Sequence, residues 1–485
     1  NTLQQQPFAV PASPFEASQP VSAQSHLDIR TSQNIELPLA SSAAINARVR
    51  SVESRIAAHS AQNPGSAGFT TLTHEEFPHL SVRIRQHGGS STAPGVKKEK
   101  DSKSDPDAWC DPTVTSWTGY IDTIDGKSLW FQAFESRSNP EKDPLLLWTN
   151  GGPGCSSAVG LFQELGPCSV PLRNGAMPQG PPINGTKWNP HSWNSESSII
   201  FIDQPVGVGF SYTRYGVHTY DADQGAVDVY AFLRIFFSAF PKFANSDFTM
   251  TGESYGGRYL PRYASEIVDR NQAYVQKAAR AGEALDKSKI INLKSVAIGN
   301  GLTAMAKQIG GYYDLYNIED GCKAGLGENL CYEVMADIKA YLDRPDVRKL
   351  IGAAPVEQIG NFSSCNHEVG MGFGLAGDGL VDNTGYVSGL LERGIKILIY
   401  IGTLDWICNW VGNKKWLFEM EWSGKEKFLA AKNYQWVVDG KEAGETQSAA
   451  GLTWATVLGA GHMVPYDKPV ESKNMLYRWL NGEAL

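Results

Sequence analysis

A serine between two glycines is the first feature of the sequence whose residue types and spacing indicate chemistry. Residues 252–256 read Gly-Glu-Ser-Tyr-Gly, directly after an apolar run and directly before an amphipathic stretch. A serine on a sharp strand-to-helix turn lies in strained backbone, and we expect side chains at Gly252 and Gly256 to collide there. The first amides of the following helix would face a developing oxyanion. The pattern in this context predicts Ser254 as a nucleophile.

A nucleophilic serine needs a general base, and the base needs an acid that orients it. In α/β-hydrolases the three residues follow in the chain order Ser, Asp, His, on loops after successive strands. Asp405 follows an apolar run at residues 396–401, and His462 follows another at residues 453–457. A lone Asp after a strand is usually a turn former, so the joint placement in this order is what predicts a Ser254–Asp405–His462 triad.

The elements that must position these residues begin at about residue 109. Short apolar runs alternate there with amphipathic stretches, and a hairpin at residues 115–134 turns near Gly126. We predict buried strands at residues 145–148, 198–202, 248–251, 295–298, 396–401 and 453–457. We predict helices at residues 221–240, 257–279 and 469–480. This order predicts an α/β fold, a mostly parallel mixed sheet with helices on both faces, whose loops beyond the carboxyl ends of the strands carry the reactive groups.

The N-terminal part of the chain has a different composition. Residues 1–107 are rich in Ser, Ala, Gln, Pro and His, and they show a modest amphipathic helix at residues 43–61 but no strand runs. Residues 88–107 combine Gly, Ser and Pro with alternating charge, as linkers do. We predict a pro-segment and linker over residues 1–107, which covers the active site until the linker is cut, and a catalytic domain over residues 108–485. A disordered tail is the alternative.

Composition and motifs exclude several classes of function. No apolar run of the 485 residues is long enough to cross a bilayer, so we expect no membrane partner. A formal net charge of -8 argues against nucleic acid. A zinc-protease-like run begins at His74, but Pro78 occupies the position of the second histidine. Since no glycine fingerprint for a pyrophosphate follows the first strand, we expect neither a metal nor a cofactor.

Cysteines and sequons bear on the compartment. Seven irregularly spaced cysteines predict disulfides with at least one thiol left unpaired. Two N-glycosylation sequons begin at Asn184 and Asn361. The sequence begins at Asn1 without a Met, which fits a signal peptide already removed. Together these features predict the secretory pathway, with a secreted or a vacuolar or lysosomal destination.

Four motifs in order give the chain a family resemblance. They are Trp-Thr-Asn-Gly-Gly-Pro-Gly-Cys-Ser-Ser at residues 148–157, Phe-Ile-Asp-Gln-Pro-Val-Gly-Val-Gly-Phe-Ser-Tyr at residues 201–212, Gly-Glu-Ser-Tyr-Gly-Gly at residues 252–257 and Gly-His-Met-Val-Pro at residues 461–465. From about residue 110 to the C-terminus, the chain resembles the serine carboxypeptidases, and their fungal branch most. The resemblance implies an enzyme that releases C-terminal amino acids from peptides and proteins at acidic pH through an acyl-enzyme.

The resemblance also implies a role for particular residues. The amides of Gly152 and Tyr255 would form the oxyanion hole. The C-terminal carboxylate of the substrate would be bound by Asn150, the Gly151 amide, Glu164 and Glu253. The substrate pocket would be lined by Trp148, Leu302, Cys408 and Met463. Two acids that face a carboxylate raise each other's pKa, so a proton held by the pair would supply a hydrogen-bond donor. We therefore expect peptide binding to favour mildly acidic pH.

Three disulfides follow from the same resemblance. They are Cys155–Cys365, Cys322–Cys331 and, as the remaining pair, Cys110–Cys168. Cys408 would be the free thiol, close to the acyl side of the substrate. Mercurials should then inhibit by blocking the pocket and not by attacking the nucleophile.

The sequence departs from the family pattern at two places. A long helical insertion usually follows the Ile-Gly-Asn-Gly-Leu-Thr motif of residues 298–303, but here about a dozen residues connect Leu302 to Asp314. We expect a shortened lid insertion, whose effect on substrate preference the family pattern does not predict. Gly379 stands where relatives have a bulky aromatic residue, which predicts a roomier pocket on the acyl side.

Two other functions fit the same sequence. An acyltransferase of this scaffold would use the same triad, although Asn150 and Glu164 beside Glu253 favour the peptidase. A catalytically silent binding or protective protein is the second alternative, and the complete triad argues against it. A protease that activates the pro-segment is an expected partner, whereas the oligomeric state and the physiological substrate stay open.

Overall fold

The structure is a computed structural model of the chain, and it describes residues 70–73, 81–88, 109–123, 126–170, 182–183, 185–309, 332 and 334–485. Several predicted features lie outside the described residues: the helix at residues 43–61, most of the linker, the Cys322–Cys331 disulfide and the sequon residue Asn184. Among the described residues, no helix is both long and apolar enough to cross a membrane.

Sixteen strands form within the described residues. In chain order they are β1 Thr70–Thr73, β2 Ser81–His87, β3 Ser116–Asp122, β4 Lys127–Phe134, β5 Leu145–Thr149, β6 Cys168–Ser169, β7 Pro182–Ile183, β8 Thr186–Trp188, β9 Ser198–Ile202, β10 Tyr212–Thr213, β11 Phe248–Glu253, β12 Leu293–Gly299, β13 Lys396–Gly402, β14 Tyr434–Val438, β15 Lys441–Ala449 and β16 Leu452–Val457. All six predicted buried strands are present, with ends within two residues of the prediction.

One sheet contains thirteen of these strands, in the order β1-β2-β3-β4-β9-β5-β11-β12-β13-β16-β15-β14, with β10 beside β4. The six central strands, β9 to β16 in that order, are parallel to one another, and both edges are antiparallel. Strands β5, β9, β11 and β16 are buried along their whole length, and β5 and β9 are correspondingly almost entirely apolar. β6, β8 and β7 form a separate small sheet.

Twelve α-helices are present in the described residues. They are α1 Ala222–Ala239, α2 Gly256–Ala281, α3 Met305–Gln308, α4 Val334–Leu342, α5 Pro345–Ile351, α6 Val356–Ile359, α7 His367–Leu375, α8 Thr384–Glu392, α9 Trp410–Glu419, α10 Lys425–Ala430, α11 Val464–Asp467 and α12 Pro469–Leu480. The three predicted helices correspond to α1, α2 and α12. The carboxylate of Asp221 caps α1 by accepting from the Gln224 amide at 2.7 Å, and Gly282 ends α2 in the left-handed conformation.

Apolar side chains fill both faces of the sheet. One core cluster joins alternate residues of β5, β11 and β12 to α1, α2 and α8, and the other joins the opposite faces of β5 and β12 to α4 and α12. A mostly parallel mixed sheet covered on both sides is the predicted α/β-hydrolase architecture, which is confirmed.

The expectation of no strands before residue 107 is wrong. β1 and β2 extend the sheet at its edge, and all seven residues of β2 pair with β3. The alternation of buried Val82 and Ile84 with Arg83 and Arg85 is the period-two pattern of a half-buried strand. It escaped the prediction because the surrounding composition is that of a tail. The β14–β15 hairpin at the opposite edge was also not predicted.

Candidate active site

Ser254 occupies the tight turn between β11 and α2. Its φ is 57°, a left-handed value that is uncommon for a residue with a side chain. The turn is held by two backbone hydrogen bonds, in which Ser254 N donates to Gly299 O at 3.0 Å and Leu302 N donates to Ser254 O at 2.8 Å. Both partners lie at or just beyond the end of β12. The neighbouring strand therefore fixes the strained conformation that presents the hydroxyl.

The glycines around this serine are required at somewhat different positions than predicted. A Cβ on Gly252 would lie 2.4 Å from the Thr149 carbonyl oxygen, as the collision argument requires. A Cβ on Gly256 would meet only an ordinary contact at 3.8 Å, so the expected collision there is wrong. It is Gly257 that is constrained, since its Cβ would approach Thr303 Oγ1 to 2.7 Å. These close contacts are with Thr303 and the backbone of Leu302, which follow β12, and not with the serine turn.

Asp405 and His462 meet beyond the ends of β13 and β16, as the chain order predicted. His462 Nδ1 lies 2.9 Å from Asp405 Oδ2. Asp405 is 3% exposed and accepts from the amides of Ile407 at 3.0 Å and Cys408 at 3.3 Å. Burial opposes the ionisation of Asp405, but the charge and hydrogen bond of His462, with the other donors, hold its pKa below the usual value. The carboxylate in turn raises the pKa of His462 against the effect of burial.

Asn300 is a residue of this site that sequence reasoning missed. Its Nδ2 donates to Asp405 Oδ2 at 2.6 Å, and its Oδ1 accepts from the Gly402 amide at 3.2 Å. Asn300 has a φ of 43° and follows β12 directly. A polar residue at the carboxyl end of a strand between those that carry Ser254 and Asp405 was the available signal. The side chain ties the orienting acid to the backbone.

The third link of the triad is looser in this structure. Among the described residues, no hydrogen bond joins the Ser254 hydroxyl to His462. Catalytic hydrogen bonds of this kind often tighten only when substrate binds. The loops after β11, β13 and β16 place the three residues at the same end of the sheet, beyond the carboxyl ends of these strands.

Two backbone amides beside Ser254 are unused. Among the described residues, neither the Gly152 amide nor the Tyr255 amide donates a hydrogen bond. The segment that carries Gly152 runs against the serine turn, because a Cβ on Gly151 would lie 2.3 Å from Tyr255 N. Tyr255 stands at the N-terminus of α2, where the helix dipole is positive. The two amides that the resemblance assigns to the oxyanion hole thus lie beside the serine turn.

Tyr255 is anchored by a buried acid that the sequence did not reveal. Its hydroxyl donates to Asp378 Oδ2 at 2.7 Å. Asp378 Oδ1 lies 3.3 Å from Arg262 Nη1 and accepts from the Ala222 amide at 3.1 Å, so several elements converge on one carboxylate. Burial and this acceptor raise the pKa of the Tyr255 hydroxyl. The network fixes the side chain of the residue that directly follows Ser254.

Two buried glutamates lie beside the serine turn and share one partner. Asn150 Nδ2 donates to Glu164 Oε1 at 3.0 Å and to Glu253 Oε1 at 2.9 Å. Glu164 is 4% exposed and Glu253 is 3% exposed. The amide of Asn150 is itself held, because its Oδ1 accepts from Trp148 Nε1 at 2.7 Å. All three predicted side chains for carboxylate binding therefore come together.

The pKa values of both glutamates are raised above the usual value for a carboxylic acid. Burial raises the pKa of Glu164 to about 7. Burial, then the charge of Glu164, raises the pKa of Glu253 well above its ordinary value. Glu164 Oε2 is buried and has no hydrogen-bond partner among the described residues. A protonated oxygen there is available as a donor to a bound anion.

The four predicted pocket residues differ in their surroundings. Trp148 is completely buried and packs against Trp193 at a ring-centroid distance of 5.5 Å. This packing fixes the indole that donates a hydrogen bond to Asn150. Met463 is also buried and accepts from Gln163 Nε2 through its sulfur at 3.1 Å. Cys408 is a buried free thiol, and Leu302 is only partly buried. Of the four, Leu302 alone offers appreciable surface.

A disulfide and a buried aspartate position the loop of residues 150–157. The structure contains the Cys155–Cys365 and Cys110–Cys168 disulfides, the pairs that the resemblance implies. Asp203 Oδ1 accepts from Ser156 Oγ at 2.6 Å, which joins this loop to the one after β9. Asn150 and Gly152 thus lie on a loop that is cross-linked to the rest of the molecule by the disulfide and by Asp203.

Comparisons with known proteins decide the family. A profile described as serine carboxypeptidase matches residues 106–322 and 320–482. The chain belongs to the serine carboxypeptidase family. It is therefore a serine-type carboxypeptidase, a hydrolase with peptide or protein substrates.

Named relatives agree with this assignment. The chain is 35% identical to carboxypeptidase Y of Candida albicans, over 76% of this chain and 74% of that protein. It is 37% identical to carboxypeptidase Y homolog A of Talaromyces marneffei, over 77% of this chain and 73% of that protein. It is 37% identical to carboxypeptidase Y of Schizosaccharomyces pombe, of which it spans only 42%.

A solved structure agrees with the fold. Kex1(delta)p, a prohormone-processing carboxypeptidase from Saccharomyces cerevisiae, superposes with a TM-score of 0.63 over 77% of this chain and 92% of that chain. The sequences are 23% identical, so this likeness shows the fold alone.

The alignments also bear on the short insertion of this serine carboxypeptidase. The alignment with the Schizosaccharomyces pombe relative runs over 447 residues but covers 79% of this chain, about 383 residues, so about 60 residues of the relative have no counterpart here. The two segments of the profile match meet at residues 320–322, within a stretch that lies outside the described residues. A shorter chain than that relative's over the aligned region fits the expected shortened insertion.

Proposed function

We propose that the chain is a carboxypeptidase zymogen that releases the C-terminal amino acid of peptides and proteins at acidic pH, with Ser254, His462 and Asp405 as its catalytic triad. The observation behind the proposal is that this triad lies beside Glu164 and Glu253, a buried acid pair whose raised pKa values favour the protonated form. A triad alone would serve an esterase as well. The acid pair beside it gives the site a preference for a substrate with a free carboxylate.

The reaction would begin with attack by Ser254 Oγ on the scissile carbonyl carbon. His462 Nε2 accepts the hydroxyl proton, while Asp405 holds Nδ1 and stabilises the imidazolium. The negative charge on the carbonyl oxygen is met by the Gly152 and Tyr255 amides. The imidazolium then returns its proton to the leaving amine, which departs as the free C-terminal amino acid. Water attacks the acyl-enzyme with His462 as base and restores the Ser254 hydroxyl.

Selection of the C-terminus would depend on the Asn150 cluster. Asn150 and the Gly151 amide would bind the substrate carboxylate, with Glu164 and Glu253 protonated so that they donate to it. Ionised, the same acids would repel the carboxylate, and the low dielectric of the site would make that repulsion strong. Leu302, Cys408 and Met463 would line the neighbouring pocket.

The proposed maturation step is a proteolytic cut between the pro-segment and the catalytic domain. Residues 1–107 would be the pro-segment and linker, residues 108–485 the catalytic domain, and a protease would activate the enzyme by cutting between them. Disulfides support passage through the secretory pathway, to the exterior or to a vacuole or lysosome. Asn361 is exposed and would accept a glycan, as would Asn184.

The experiment that tests the assignment is labelling with an organophosphorus serine reagent after the linker has been cut. We expect one label per chain, located at Ser254 by mass spectrometry, with loss of hydrolysis of a blocked dipeptide in proportion. Substitution Ser254→Ala should abolish both, whereas Ser265→Ala in the following helix α2 should leave both intact. Activity that survives in Ser254→Ala would overturn the assignment.

A further inference from the structure

Strand β2 is joined to the catalytic sheet along its whole length, although it precedes the linker. Its residues pair antiparallel with β3 from Ser81 opposite Asp122 to His87 opposite Ser116. Strand addition of this kind gives affinity through main-chain hydrogen bonds and specificity through alternate side chains. The edge of β3 is thus a binding surface for an extended segment, and β2 occupies it.

One face of β2 belongs to the core of the catalytic domain. Val82 is 2% exposed and Ile84 is 1% exposed. They share a cluster with Trp117 and Ile121 of β3 and with Phe236 of α1. If β2 departed, these side chains would face water. Burial of this apolar face therefore favours a β2 strand that remains bound to the sheet.

The opposite face of β2 is held by a bidentate ion pair. Arg83 Nε donates to Asp122 Oδ2 at 3.0 Å, and Arg83 Nη2 donates to Asp122 Oδ1 at 2.8 Å. Nη2 also donates to the Tyr212 hydroxyl at 2.9 Å, and the guanidinium lies 4.4 Å from the ring centroid of Tyr120. Asp122 is 7% exposed, so loss of Arg83 would leave a buried carboxylate with weaker compensation.

The end of β2 next to the linker is anchored as well. Arg85 Nη1 donates to Lys349 O at 2.6 Å. His87 is 1% exposed, and its Nε2 lies 2.8 Å from Thr118 Oγ1, whose own hydroxyl donates to Ile351 O. The His87 ring also packs 5.5 Å from Trp109, which lies on the far side of the linker. A cut in the linker would therefore leave contacts on both of its sides intact.

The position of β2 keeps it away from the chemistry. Five strand spacings separate β2 from β11, the strand that precedes Ser254. At the usual spacing this is about 24 Å. A retained β2 would not obstruct access to the nucleophile, so activation does not require its release.

We propose that β2 stays bound to the edge of β3 after the linker is cut, so that the activated enzyme consists of two noncovalently associated chains. The inference rests on the proposed maturation by a cut in the linker. The partner of this surface is a segment of the same chain, recognised by backbone pairing, two apolar side chains and an arginine that binds Asp122.

The test uses the full chain with an N-terminal affinity tag and a recognition site for a sequence-specific protease inserted between residues 89 and 107. After complete cleavage under native conditions, we expect both fragments to elute together at the size of the uncut protein, 52.9 kDa apart from the additions. Capture by the tag should retain the fragment that contains Ser254, and denaturant should separate the two. Fragments that separate in native buffer, while the catalytic fragment stays folded by circular dichroism, would overturn the proposal.

Variants show whether the identified contacts are responsible. Arg83→Met keeps the side-chain length but removes the ion pair, and it should make dissociation of the cut fragments at least tenfold faster. Gln86→Ala on the same strand is the matched control and should dissociate at the original rate. Equal rates for both variants would contradict the assigned role of Arg83.

Hydrolysis of a blocked dipeptide is measured on the same samples, which separates this inference from the proposed function. Fragments that stay together without hydrolysis would refute the function and leave the retained strand standing. Hydrolysis by a catalytic fragment that has lost the tagged chain would refute the retained strand alone.

Discussion

At the scale of single residues, His462 and the two glutamates require opposite protonation states, so their pH requirements conflict. His462 must be neutral to accept a proton, and its pKa is raised by Asp405 despite burial, so turnover should fall as pH decreases through that raised pKa. Glu164 and Glu253 must hold protons to bind a carboxylate, and their pKa values are raised by burial. The rate for peptides at low concentration should therefore have a bell-shaped pH dependence, whose acidic limb comes from His462 and whose alkaline limb comes from the acids.

The first prediction concerns Glu164. Its pKa is raised to about 7, so KM for a peptide with a free carboxylate should rise by roughly tenfold per pH unit above that value. Glu164→Gln supplies an amide donor that does not titrate, and this variant should show a flatter dependence of KM between pH 6 and pH 8. Steady-state kinetics over this range provide the measurement. Glu196→Gln, at an exposed position outside the site, is the matched control.

A second prediction concerns Cys408. Burial, then the charges of Asp405 and Glu253, raise the pKa of its thiol well above the usual value, so alkylating reagents should react slowly at neutral pH. Its sulfur, an Asp405 oxygen and a His462 nitrogen lie within 4.8 Å of one another. A mercurial on the sulfur should therefore inhibit with one equivalent per chain.

The remaining activity of Cys408→Ala should be insensitive to the same mercurial in an activity titration. Inhibition of this variant at one equivalent would show that the reagent acts elsewhere.

At the scale of elements, the carboxyl ends of β5, β11, β12, β13 and β16 supply the site. The positions of Ser254, Asp405 and His462 were predictable, because each follows a recognisable strand in the order that the fold requires. Asn300 was missed although it follows a strand of the same series, and Asp378 was not predictable, since its role depends on which loops meet in space. β2 was missed because seven alternating residues gave a weak signal within a tail-like composition. Gly256 was misjudged because the steric constraint comes from the backbone after β12.

The third prediction concerns the segment between α7 and α8, which approaches Tyr255, a proposed oxyanion-hole residue. A Cβ on Gly379 would lie 3.6 Å from the Tyr255 hydroxyl, an ordinary contact, so a larger side chain would pack beside that ring. The enzyme should accept large and branched penultimate residues. Gly379→Phe should reduce kcat/KM for those substrates about tenfold and spare substrates with alanine at this position.

Gly385→Phe, at an exposed position on α8, is the control for that substitution. A set of blocked dipeptides that differ only in the penultimate residue provides the measurement. A wild-type enzyme that discriminates against large penultimate residues would contradict the predicted roomier pocket.

At the scale of the whole molecule, buried acids make stability depend on pH. Burial raises the pKa of Asp203 to about 6 and that of Glu164 to about 7. The folded chain then binds protons that the unfolded chain has released, so these groups favour folding increasingly as pH falls from about 7 towards 4.5. Asp405 and Asp122 have lowered pKa values, and their contribution is present above pH 3.8 and lost only as pH falls below it.

The fourth prediction follows from these signs. The unfolding midpoint should be several degrees higher at pH 5 than at pH 8, since each raised group contributes roughly 1 to 3 kcal/mol at the lower pH. Glu164→Gln should reduce this difference, because glutamine does not titrate. Calorimetry at matched ionic strength provides the measurement, and a midpoint that falls steadily from pH 8 to pH 5 would contradict the account.

The central claim is that a serine triad acts next to a site that recognises a free C-terminal carboxylate. The most direct measurement is hydrolysis of a blocked dipeptide at the pH of its maximal rate, after cleavage of the linker, compared with the same dipeptide carrying a C-terminal amide. The account predicts rapid release of the last residue from the acid, at least a hundredfold slower reaction of the amide, and no reaction in Ser254→Ala. Equal rates for acid and amide, or no hydrolysis of the acid by the folded enzyme, would contradict it.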